Sequence, residues 1–203
     1  MLKKYFAPGS LFSYKGYRNF FISSAIFVLG SSAFPIALAV TVLDKGGDAS
    51  ALGLILAARV AAGTLFMLIG GVWADRLPRK WIMIGADSFR AAICLVLLFV
   101  SANDLPLWAI GLSVFLMGLG DSCGAPADSA IVPSLLPDHL LPAGNVARGI
   151  VGKVGTIVGP GLGGLSIAFM GADWTFAVIG AFFPITYCLL EMLLRESSAK
   201  WAR

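Results

Sequence analysis

Of its 203 residues, 58% are apolar and only 13% charged, too few charges to cover a water-soluble surface of this size. A soluble domain has about half its residues apolar and about a quarter charged. The mean hydropathy of +0.88 therefore points to lipid as the second solvent and excludes an ordinary soluble domain. Six uniformly apolar runs follow along the chain, at about 19–43, 51–74, 81–100, 107–130, 150–170 and 174–194. Each is close to the roughly 20 residues that a helix needs to cross a bilayer. None alternates as a barrel strand would. The expected fold is thus an all-α membrane protein: a bundle of six transmembrane helices over 19–194, a cytoplasmic amino-terminal segment 1–18 and a cytoplasmic tail 195–203. The start of the chain is basic, but the run behind it is full membrane length and lacks a clear cleavage site, so no removable signal peptide is expected.

Lys and Arg favour cytoplasmic loops. With the amino terminus inside, the inner segments hold Lys3, Lys4, Lys15, Arg18, Arg76, Arg79, Lys80, Arg148, Lys153, Arg195, Lys200 and Arg203, twelve of the fifteen basic residues. The outer loops hold only Lys45, beside Asp44, Asp48, Asp104 and Asp173. Both ends are therefore placed in the cytoplasm. The net charge of +4 follows from this topology and implies no nucleic-acid partner.

The outer connections are short, which forces antiparallel neighbours. The longest inner connection carries Pro133, Pro137 and Pro142, which discourage one continuous helix. A short surface helix over about Pro137–Ala147 is expected there. Pro35 and Pro184 are candidate kinks in the first and sixth helices. Cys94, Cys123 and Cys188 lie within apolar runs without metal-ligand spacing and read as packing residues. The single histidine, His139, lies in a loop. The sequence shows neither a Gly-x-Ser-x-Gly nucleophile motif nor a His–Glu metal helix. No catalytic residues, no metal and no cofactor are expected.

Charged residues inside the runs ask for a reason, since each costs roughly 2.5–3.5 kcal/mol at the bilayer centre on insertion scales. Arg59 lies in the second run, Asp87 and Arg90 in the third, and Asp121 past the middle of the fourth. Asp87 precedes Arg90 by one helical turn and can pair with it. Asp128 shares a face with Asp121. Glu191 lies near the inner end of the sixth run. The simplest role for such groups is an ion pair that holds the bundle together. The functional alternative is that Arg59 and Asp121 line a central cavity. Arg59 would attract an anionic or polar group of a substrate, and a desolvated Asp121 would bind and release a proton.

Two stretches stand out. Between the second and third runs lies Gly71-Val-Trp-Ala-Asp75-Arg76-Leu-Pro78-Arg79-Lys80. The positive-inside rule explains its bases but not Asp75, an acid at a helix end where the dipole disfavours it. The fifth run reads Gly155-Thr-Ile-Val-Gly159-Pro160-Gly161-Leu-Gly163-Gly164. Gly155, Gly159 and Gly163 recur every four residues on one face, a pattern that lets two membrane helices approach closely. Pro160 permits a bend.

Both stretches resemble signatures of the major facilitator superfamily. The Gly71–Lys80 stretch is similar to the loop motif between helices two and three, with Pro78 where many members have glycine. The Gly155–Gly164 stretch is similar to the Gly-Pro-Gly-Gly motif of helix five in the antiporter branches. LGLILAARV around Arg59, GADSFRAAI around Asp87 and Arg90, and AGNVARG around Asn145 resemble the macrolide-efflux and siderophore-exporter branch. Unlike many drug antiporters, the chain has no arginine early in the fourth run, and Asp128 follows Pro126-Ala127 where the branch tends to carry a base.

The resemblance implies a transporter, or half of one, that exports small hydrophobic or amphipathic molecules by proton-coupled alternating access in a bacterial plasma membrane. The superfamily has two six-helix halves, and this chain matches the first. A second half, its own copy or another chain, is implied as partner, with both motifs at the joint. The competing expectation is a truncated or regulatory half that does not transport.

Overall fold

The computed structural model describes the backbone of residues 10–76, 79–103 and 105–201, and their side chains apart from 68–76, 79–80, 123–131, 134 and 187–201. Every regular element among them is helical. Helix α1 spans Lys15–Asp44, α2 Ala49–Arg76, α3 Arg79–Ala102 and α4 Leu107–Leu135. One further helical run covers Leu141–Trp201 and is broken at Gly171 (φ 84°, ψ 165°). That backbone geometry is open to glycine and strained for other residues. The break reverses the chain, because the Ser166 and Thr175 hydroxyls, nine positions apart, meet at 3.0 Å. In a straight helix nine residues advance about 13.5 Å. The two arms are α5 (141–170) and α6 (172–201).

Local chemistry sets the other boundaries. Helix α1 ends where Gly46 takes a positive φ of 76°. The Gly46 amide then donates to Leu43 O at 3.0 Å and the Gly47 amide to Val42 O at 2.8 Å. This paired closure satisfies carbonyls that the helix end leaves open. Asp48 caps α2 by accepting from the Ala51 amide at 2.8 Å, as an aspartate at that position does. The connection before α5 differs from the expected surface helix. A single 3-10 turn at Asp138–Leu140 leads directly into α5. Pro142 falls in the first turn of α5, where no intrahelical amide bond is lost.

Among the described residues, the stretches long and apolar enough to cross a membrane are Lys15–Asp44, Ala49–Met67, Trp81–Ala102 and Asp138–Thr186, with the shorter apolar helix Leu107–Ser122. The packing is not sequential. Helix α1 lies against α5 and α6, α4 lies against α2 and α3, and α3 meets α6. The main core gathers Phe34, Leu38, Val42, Leu97, Ile110, Met117, Phe176 and Phe183. A smaller core at the other end joins Leu11, Tyr17, Phe20, Met83, Val132 and Leu136. There the Tyr17 hydroxyl donates to Gly144 O at 2.7 Å, tying the start of α1 to the start of α5.

Candidate functional site

Three helices deliver charge to one place, each from near its own midpoint. Arg59 comes from α2, Asp87 and Arg90 from α3, and Asp121 from α4. Close approach of the helices makes this possible. A Cβ at Gly118 would collide with Arg59 O and lie 3.0 Å from Ala62 Cβ, so only glycine admits α2 so near α4. At Gly120 a Cβ would stand 3.1 Å from the Phe89 ring and 3.3 Å from Arg90 Cγ.

Arg90 is almost fully buried and its guanidinium is held on three sides. It donates to Asp87 Oδ1 at 2.6 Å, Asp121 Oδ1 at 3.0 Å and Gly120 O at 3.1 Å. Its planar fork suits such a multidentate arrangement, which a lysine could not reproduce. Arg59 reaches the other oxygen of the same carboxylate, with Nε 3.0 Å and Nη2 2.9 Å from Asp121 Oδ2. Helix α1 adds aromatic faces. Arg59 lies 4.7 Å from the centre of the Phe34 ring and Arg90 5.2 Å from that of Phe27. A guanidinium over a ring face is attracted by the ring quadrupole, more strongly when desolvated.

The cluster thus holds two cations and two anions and is neutral as a unit. Neutrality and saturated hydrogen bonding are what allow charges to reside in an apolar bundle. Among the described residues no buried polar side-chain atom lacks a partner. The four groups are not equally enclosed. The Asp87 and Arg90 side chains are 8% and 5% exposed, against 17% for Arg59 and 35% for Asp121. One half of the network is a fixed anchor, and the other half is accessible.

A sequence profile of the Major Facilitator Superfamily matches residues 20–202. The chain belongs to this family. It is accordingly an integral membrane protein. Macrolide efflux protein A of Streptococcus pyogenes is 31% identical over 118 residues, 58% of this chain and 29% of the relative. The enterobactin exporter EntS of Salmonella typhimurium (strain LT2) is 28% identical over 188 residues, 90% of this chain and 44% of the relative. The chain therefore spans less than half the length of these relatives. In fold it is similar to the POT family transporter PepTSo, with a TM-score of 0.75 at 14% identity, covering 88% of this chain and 37% of that one.

Within this Major Facilitator fold the sequence-predicted residues divide clearly. Arg59, Asp87, Arg90 and Asp121 come together, and Asp87 pairs with Arg90 as their spacing suggested. An Arg59 open to a substrate anion is not what the structure holds, since its guanidinium rests on Asp121. The glycine motif of α5 also needs correction. Gly155, Gly159 and Gly163 do not face outward toward a second half but receive α1. A Cβ at Gly155 would collide with Val28, one at Gly159 would lie 2.5 Å from Ser32 Cβ, and one at Gly163 would lie 3.0 Å from Ala33 Cβ. Gly161 and Gly164 have open space instead. Pro160 lies within the continuous helix.

The side chains of the loop motif, Gly71, Asp75, Arg76, Pro78, Arg79 and Lys80, lie outside the described residues, as do those of Asp128 and Glu191. Sequence reading missed Phe27, Phe34, Gly118 and Gly120. The Gly118-Leu-Gly120-Asp121 string was a usable signal, because small residues beside a membrane charge mark a place where other helices come close enough to pair with it.

Proposed function

We propose that this chain is the first six-helix half of an exporter of small amphipathic molecules, working by alternating access with a proton moving through Asp121. The carrying observation is the four-charge cluster, gathered from three helices with the Asp121 side chain 35% exposed. Intramembrane ionisable groups of this kind mark substrate or proton paths. Family membership and the efflux names of the two relatives support transport and its direction. On this reading α1 to α6 each cross the bilayer. Both ends face the cytoplasm of a bacterial plasma membrane, as the distribution of basic residues favours.

A second six-helix half, on the same or another polypeptide, completes the cavity. The exposed apolar side chains of α2 (Val60, Leu65, Met67) and α5 (Ile150, Ile157, Leu165) are available to it or to lipid. A proton arriving on Asp121 cancels the one anion that both guanidinium groups share, so protonation and loosening of Arg59 are a single event. The other titratable groups around Asp121 are Arg90, Asp87 and Cys94 of α3, while α1 presents the rings of Phe27 and Phe34.

The test is dye retention in efflux-deficient bacteria that make the protein. Cells with the unaltered protein should accumulate less of a fluorescent amphipathic dye and lose that protection when an uncoupler collapses the proton gradient. Asp121→Asn should abolish protection while leaving the protein in the membrane. Undiminished efflux by that variant would remove Asp121 from the mechanism.

A further inference from the structure

We infer that Arg59 is a tethered plug: its guanidinium occupies Asp121 Oδ2 as a stand-in for the cationic group of a substrate, which must displace it to bind. The inference rests on the reading of the Asp121 side of the cluster as the substrate site. It goes beyond that reading by naming the substrate charge and giving Arg59 a specificity role.

The two oxygens of Asp121 are in different situations. Oδ1 faces Arg90, which Asp87 and Gly120 O also hold and which is almost fully buried. Oδ2 faces Arg59, whose described partners are this one oxygen and the Phe34 ring. One oxygen is anchored, and the other is held by a cation that also lies over an aromatic ring. If Arg59 leaves Oδ2, the Phe34 face 4.7 Å away still supports its charge.

Exposure decides which partner an incoming group meets. The side chain of Asp121 is twice as exposed as that of Arg59, 35% against 17%. The complementary group for a part-exposed carboxylate is a cation. A proton and a substrate cation would then claim the same oxygen, and each would raise the charge of the cluster by one. Their occupancies would be mutually exclusive, which is the requirement for exchanging one for the other. Arg59 fills the oxygen when neither is present, so the anion is never left bare in the bundle.

The plug makes an unusual prediction, a gain of binding on removing a charged residue. Affinity for a ligand whose site is mostly occupied internally is reduced by the unoccupied fraction. The experiment is calorimetric titration of the purified full chain in detergent with 2-naphthylmethylammonium and with 2-naphthoate. These probes share an aromatic body and differ in charge. The unaltered chain should bind the cation in preference to the anion, a comparison that requires no variant. Arg59→Gln should bind the cation roughly tenfold more tightly at the same pH, and Arg59→Lys should fall between. Asp121→Asn should lose the cation.

Preferred binding of naphthoate, lost in Arg59→Gln, would overturn the plug and make Arg59 an anion receptor. Unchanged or weaker cation binding by folded Arg59→Gln would also overturn it, leaving Arg59 a structural tie. Export and the plug fail separately. Asp121-dependent dye efflux with no tightening in Arg59→Gln would sink the plug alone. Tightening without any efflux would sink the export reading alone.

Discussion

The two sides of the bundle solve the same packing problem with different chemistry. Helix α1 meets α5 and α6 through Gly155, Gly159, Gly163 and its own Gly30, which receives the Phe182 ring 2.7 Å from where a Cβ would stand. The space beyond is filled by rings, with Phe34 stacked edge-on to Phe176 at 5.8 Å and Phe27 to Phe183 at 5.8 Å. Helix α4 meets α2 and α3 through Gly118 and Gly120. The space beyond is filled by Arg59, Asp87, Arg90 and Asp121. Glycine brings helices close in both cases, and what it lets in differs. The aromatic side gains from dispersion and tolerates no inserted volume. The ionic side is balanced only while every pair is made. A ring-packed seam and an ion-paired seam thus stand side by side in one bundle.

The largest expected effect tests the ionic side. Arg90→Ala strips Asp87 of its buried partner, and breaking a buried pair in this way costs about 3–5 kcal/mol. The variant should lose much of its unfolding temperature in detergent, and a second change, Asp87→Ala, should recover part of the loss. Equal stability of all three proteins would show that the buried pair is not needed.

The aromatic side should break sterically. Gly159→Leu forces a side chain into Ser32 and the Leu29 carbonyl; overpacking of this kind costs about 1–3 kcal/mol. Gly161→Leu, two residues away with nothing within 4 Å, should unfold at nearly the normal temperature. If both variants unfold together, the α1 contact is not what the glycines serve.

Phe34 joins the two sides, since its ring touches both Phe176 and the Arg59 guanidinium. Phe34→Leu should cost about 1–2 kcal/mol from lost ring contacts and cation attraction. In a double-mutant cycle with Arg59→Gln, the coupling between the two should be about 0.5–1 kcal/mol. Additive losses would separate the seams. The smallest effect is Gly161→Ala, expected to raise stability by no more than about 1 kcal/mol through helix propensity.

Much of this protein is local and was therefore readable from the chain. Lipid as solvent, the apolar runs and the charges inside them follow from composition and hydropathy, which need no knowledge of neighbours. The Asp87–Arg90 pair was equally legible, because helix geometry alone places residues three apart on one face. The same periodicity put Gly155, Gly159 and Gly163 on one side of α5 but could not say what lies opposite. Tertiary packing chose α1. It also chose Arg59 and Arg90 as partners of Asp121, 62 and 31 positions away. Periodicity assigns a residue to a face of its own helix. The partner across that face depends on which helices the whole bundle brings together, and here glycines at Gly118 and Gly120 made that contact close enough for charge to pair.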